Sequence, residues 1–173
     1  MKRILITTFA LTMLAAIAGA NGPGHGPEGG YGPDADAIVA SNGTIFVTSS
    51  TIDTGTRTST TTIKAISSSG AMLWTATLTN AGRLVLSGNN LIATNSTTAS
   101  DGTVSTTLTA ISTSSGSVAW SRNLNGRVTS LEPFSAGTYA IVVVPATTSG
   151  GSATRSLVAI GNDGSVLWTV SLT

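Results

Sequence analysis

Side chains able to do chemistry are few and scattered in this chain of 173 residues. Its one histidine, His25, sits among glycines and prolines, and there is no cysteine. A Ser-His-acid triad therefore has no base inside a foldable segment, and nucleophilic catalysis has no thiol. The seven acids are Glu28, Asp34, Asp36, Asp53, Asp101, Glu132 and Asp163. Most stand in turn-type or tail sequence, where a carboxylate that bonds nearby backbone explains them without catalysis. No motif fixes two of them at a glycosidase-like separation. His25, Glu28 and Tyr31 supply too few ligands for a dedicated metal site, and no helix follows Gly82 and Gly88 as a phosphate loop requires. The expectation is no enzyme, no cofactor and no metal. Asn42-Gly43-Thr44 and Asn95-Ser96-Thr97 match the glycosylation sequon, but a chain with 30 Thr and 23 Ser makes such matches by chance.

The aromatic residues are better organised than the acids. One phrase occurs three times: Ser-Gly-Ala-Met-Leu-Trp at 69–74, Ser-Gly-Ser-Val-Ala-Trp at 115–120 and Asp-Gly-Ser-Val-Leu-Trp at 163–168. It holds every tryptophan, with spacings of 46 and 48 residues, the size of a small sheet built once and copied. Trp74, Trp120 and Trp168 each lie four residues after a turn glycine, Gly70, Gly116 and Gly164. A repeated position argues for a repeated packing contact. Burying an indole removes ~150–250 Å² from water, at most about 4–6 kcal/mol before ordering costs. The alternative is an exposed row of rings for stacking on carbohydrate.

The segments that must position these rings follow an export signal. Lys2 and Arg3 precede an apolar run from Ile4 to Ala18, and Ala18-Gly19-Ala20 resembles a cleavage site, so residues 1–20 read as a secretory signal peptide. The run is shorter than the ~20 residues of a membrane span. Residues 21–35 are rich in Gly and Pro and read as a flexible linker. Without Lys2 and Arg3, six basic residues face seven acidic ones, and the six are dispersed, which argues against nucleic acid as a partner. The expected location is the periplasm, the extracellular space or the cell surface. With no cysteine, stability there must come from burial and strand pairing alone.

From residue 36 onward β-branched Thr dominates and no helical period is sustained, so the fold class is all-β. The domain 36–173 divides into three repeats, 36–80, 81–126 and 127–173, each of four strands. The first repeat has strands at 37–40, 44–52, 57–66 and 71–78, with Asn42-Gly43 as a tight hairpin turn. The second has 83–86, 91–96, 104–111 and 117–124. The third has 127–131, a longer connection through Pro133 and Gly137, then 138–144, a loop at 147–152, 155–160 and 165–172. The apolar runs Tyr139–Val144 and Ile45–Val47 predict strands covered on both faces.

These residues resemble the quinoprotein-alcohol-dehydrogenase-like β-propeller repeat, also called the pyrroloquinoline-quinone-like repeat. Its pattern is an Ala on the third strand, a turn ending in Gly and a Trp four residues later. Ala110 to Trp120, with Gly116 between, fits that spacing; Ala65 to Trp74 and Ala159 to Trp168 are one residue shorter in the turn. The resemblance implies antiparallel propeller blades in which Trp docks between neighbours, and it spans about residues 36–173. It brings no catalytic or cofactor residue, because the acidic, amide and cysteine groups that hold a calcium-bound quinone have no counterpart here. The non-catalytic, partner-docking members are the closer analogy, although their lipid-attachment cysteine is missing.

Closed propellers use about four to eight blades, so three repeats predict a partial propeller or one completed by association. A three-sheet β-prism, a shape used by lectins, is the alternative. The third repeat is the most apolar, and an exposed apolar face predicts a protein partner or self-association. The Thr/Ser-rich hairpins near 48–62 and 94–107 are the expected presentation surfaces.

Overall fold

The computed structural model describes residues 36–40, 42–146 and 151–172; the expected signal peptide and linker, and most of the loop at 147–152, lie outside the described residues. Twelve antiparallel strands follow one another without a helix among the described residues. β1 (Asp36–Val39), β2 (Ile45–Asp53), β3 (Thr58–Ile66) and β4 (Met72–Thr79) form the first sheet in that order. β5 (Leu84–Ser87), β6 (Asn90–Thr98), β7 (Val104–Ser112) and β8 (Val118–Asn125) form the second. β9 (Arg127–Phe134), β10 (Gly137–Val144), β11 (Thr154–Gly161) and β12 (Val166–Ser171) form the third. Each is a sequential meander, the up-and-down pattern of a propeller blade.

Thr and Ser support these ladders directly. Hydroxyls opposite one another bond across strands, as in Ser50–Thr61 at 2.9 Å and Ser96–Thr106 at 2.8 Å. Such pairs stabilise a sheet by roughly 0.2–1 kcal/mol each relative to Ala. Asp53, Asp101 and Asp163 sit in turns and accept backbone N–H groups two or three residues on.

Two cores form between the sheets. Phe46, Ile63 and Ala65 of the first blade meet Leu91 and Ile111 of the second. On the opposite face of the second blade, Ile92, Leu108 and Ala110 meet Val128, Leu131, Ala140, Val142, Val158 and Ile160 of the third. The middle blade is thus buried on both sides, and Asn90–Thr94 is buried at every residue. This stacking excludes the β-prism alternative, in which each sheet would turn a single face to one shared core.

Two readings of the third repeat change. The connection through Pro133 and Gly137 is a tight hairpin: Pro133 lies within β9 and pairs with Thr138, and Gly137 opens β10. Proline is tolerated because β9 is an edge strand whose missing N–H would have faced outward. A side chain at Gly137 would run into the carbonyl of Ile160, which is why the hairpin needs glycine there. Two-sided cover is also absent along Tyr139–Val144, where fully buried Ala140 and Val142 alternate with partly covered Tyr139, Ile141 and Val143. Phe46 is buried between partly covered Ile45 and Val47 in the same manner. The outer faces of the first and third blades have no neighbouring sheet among the described residues.

Candidate functional site

The repeated phrase builds one contact geometry. Ala65 pairs with Trp74, Ala110 with Trp120 and Ala159 with Trp168, and a β-bulge follows the Ala in all three blades. The three alanines are completely buried. Their methyl groups leave room for the indole on the neighbouring strand, and the bulge adds local twist that re-aims the fourth strand. On the far side of each Ala, the same row continues to Phe46, Ile92 or Tyr139. Phe46 lies 5.5 Å from Trp74 between ring centroids, and Tyr139 lies 5.7 Å from Trp168.

Trp74 and Trp120 reach the turn between the third and fourth strands of the following blade. Trp74 Nε1 donates to the Thr113 carbonyl at 2.9 Å, and Trp120 Nε1 donates to the Asn162 carbonyl at 2.8 Å. Both acceptors stand three residues after the blade's alanine. The rings then lie over the turn glycines. A β-carbon on Gly116 would come 2.6 Å from Cε3 of Trp74, and one on Gly164 would come 2.7 Å from Cδ2 of Trp120. Glycine is required twice over, because φ is +72° at Gly116 and +82° at Gly164.

The ends of the stack differ. Gly70 has the same backbone form, φ +85°, but nothing lies within 4 Å of the position a β-carbon would take. No sheet packs beyond Trp168 among the described residues; it is 42% exposed, and Nε1 of its indole has no acceptor among them. Val170, next along the same face of β12, and Leu172, just beyond its end, are 52% and 48% exposed. Their counterparts behind Trp74 and Trp120 are packed into the cores: Ala76 and Leu78 in the first blade, Leu124 in the second. Phe134 stacks on Tyr139 at 4.1 Å and extends the open aromatic face of the third blade. The three tryptophans therefore do not form an exposed row: two are engaged on neighbouring blades, and only Trp168 presents much surface.

Several polar residues at the second junction went unmarked in the sequence. Arg122 Nε donates to the Gly164 carbonyl at 2.8 Å. Asn90 Nδ2 shares the Asn162 carbonyl with Trp120 at 3.2 Å, and buried Ser87 Oγ donates to the Gly137 carbonyl at 2.6 Å. Arg122 follows Trp120 by two residues, so strand alternation places it on the docking face; that was the available signal. Asn90 and Ser87 gave none, because turn residues of these types are ordinary at any hairpin.

Asp53, Asp101 and Asp163 are occupied in turns. The Asp163 carboxyl is held below the usual carboxylate range by the Ser165 hydroxyl and then by the Ser165 backbone N–H, with a smaller contribution from Arg122. Asp53 is lowered by the backbone N–H groups of Thr56 and Gly55, and Asp101 chiefly by that of Thr103. No three His, Cys, Asp or Glu residues gather as metal ligands among the described residues. A cleft of roughly 120 Å³ between the first and second blades is lined by Leu78, Ala93, Thr94, Asn95 and Thr107 among others. Small-molecule sites generally need about 300 Å³ or more.

No curated protein matches the chain. A family model described as the outer membrane protein assembly factor BamB matches residues 59–173, about two thirds of the sequence. With four-stranded blades, a Trp on each fourth strand and indoles lying on turn glycines, the chain belongs to this family of PQQ-repeat β-propeller proteins.

Proposed function

We propose that this chain is an exported, non-catalytic assembly scaffold that works by presenting blade faces and hairpins to protein partners, copies of itself among them. The observation carrying the proposal is the apolar face of the third blade, where Trp168, Val170 and Leu172 stand exposed in a row that is packed in the first two blades. Exposed contiguous apolar surface of this kind marks interaction sites. The family supports the same reading, since its model is described for an assembly factor of outer membrane proteins. Docking roles for Trp74 and Trp120, with Gly116 and Gly164 and with Ala65 and Ala110 beneath the rings, make the blades a rigid platform for the hairpins that end at Asp53 and Thr98. The turn bonds that engage Asp53, Asp101 and Asp163 support a role without catalysis.

Light scattering on the chain, purified after export, tests this reading. The expected result is a mass of two or more copies that grows with concentration; a single monomeric mass over about a hundredfold range would overturn self-association. A carbohydrate-binding module is the second reading, favoured by the Phe134, Tyr139 and Trp168 rings on one open face. Glycan-array binding that is lost in Trp168→Ala without a change in mass would select it.

A further inference from the structure

The first and third blades carry the two halves of a contact that the chain makes twice internally. At each internal junction, an indole lies on a turn glycine and donates to the carbonyl three residues after the next blade's alanine. Counting from Ala65, that carbonyl in the first blade belongs to Ser68, which accepts no hydrogen bond among the described residues. Gly70 beside it is open. Ile45 and Ile66, which pair with each other, are partly covered. Their counterparts in the second blade, Leu91 and Ile111, are 0% and 1% exposed beneath the first blade. The third blade offers the complement: Trp168, whose N–H has no acceptor among the described residues, with Tyr139 beside it and Val170 behind it.

We infer that Trp168 of one copy docks on the Ser67–Gly70 turn of a second copy, with its ring over Gly70 and its N–H on the Ser68 carbonyl. This rests on the self-association part of the scaffold reading and specifies its geometry. The contact is head-to-tail, so it closes into a ring if the rotation permits and otherwise extends as a filament. The described blades of two copies number six, within the range of closed propellers. The occupant is a second copy because the contact needs no feature beyond those this chain already uses at its two junctions.

A complementation experiment separates this geometry from other modes of association. Trp168→Ala removes the indole and leaves the dock, whereas Gly70→Asn fills the dock and leaves the indole. Asparagine tolerates positive φ better than other residues with a β-carbon, so the turn is retained. Gly102→Asn is the control, because Gly102 has φ +83° and likewise nothing within 4 Å. Each of the first two variants, folded by circular dichroism, is expected to weaken self-association at least about thirtyfold, the loss typical of an interface hot spot. Mixed together, they are expected to form a one-to-one complex that grows no further; the control should assemble as the unmodified chain does. Assembly that persists in both variants would overturn the docking while leaving the scaffold reading intact. Two monomeric variants that fail to pair would overturn the head-to-tail geometry. A monomeric unmodified chain would remove self-association itself.

Discussion

Trp74 lies on Gly116 so closely that a β-carbon there would come 2.6 Å from its ring, while its N–H bonds to Thr113 in the same turn. Trp120 and Gly164 repeat the relationship one blade further on. Shape and hydrogen bonding thus act at one point, and the contact specifies the spacing between blades as well as holding them.

Gly116→Ala should be markedly more destabilising than Gly102→Ala. Both positions have positive φ, but only Gly116 has an indole where the methyl group would go. Strain alone predicts a loss of about 1 kcal/mol, and overpacking adds roughly 1–3 kcal/mol at Gly116. Urea unfolding at one low protein concentration measures both; equal losses would mean that the ring does not lie on the turn.

Trp120→Phe and Trp120→Ala divide the second contact. The first keeps most of the ring and removes the N–H to Asn162, with an expected loss of about 1 kcal/mol. The second also removes the packing and should cost roughly 2–4 kcal/mol, somewhat below a fully buried Trp because this ring is partly exposed. A Trp120→Ala chain as stable as the parent would refute the docking role.

Three repeats and the four-strand unit were legible in the sequence because each is local and recurs in register; that each indole lies on the turn glycine of the following blade was not, because Trp74 and Gly116 are far apart in the chain. What covers a strand was not legible either. Tyr139–Val144 is apolar throughout yet lies in a blade with one open face, whereas the strand buried on both sides begins at Asn90 and includes Thr94. Hydrophobicity records what a strand tolerates, and its place in the stack decides what it meets. Pro133 was misplaced for a related reason: only the pairing shows that β9 is an edge where proline costs no ladder bond. Arg122 and Asn90 were missed because their partners, Gly164 and Asn162, are distant in sequence and engaged through backbone carbonyls.

Thr106→Val should be costly although the two side chains have nearly the same shape. Thr106 is completely buried; its Oγ1 donates to the Gly126 carbonyl at 2.8 Å and accepts the Val128 N–H at 3.1 Å, joining β7 to the start of the third blade. Valine would leave both backbone groups without that partner, a loss of about 1–3 kcal/mol measurable by urea unfolding. A neutral substitution would show that other groups satisfy them.

Acid should loosen the turns. Asp53, Asp101 and Asp163 have folded pKa values below the ordinary aspartate value of about 3.9, owing to N–H and hydroxyl donors in their own turns. Their contribution to stability is therefore full above that value and is lost as pH falls through the lower folded values. Replacing all three with Asn should flatten the fall in stability below about pH 4. An acid limb unchanged in that variant would assign the fall to other groups.

Fluorine NMR of the chain labelled with 5-fluorotryptophan tests the docking account most directly, because it gives one resonance for each of Trp74, Trp120 and Trp168, assigned by single Trp→Phe variants. The expected result is a small solvent-isotope shift for Trp74 and Trp120 at every concentration. Trp168 should show a large shift in dilute solution that diminishes as copies associate. Three rings equally open to solvent, or a Trp168 resonance that stays unchanged while the mass of the assembly rises, would contradict it.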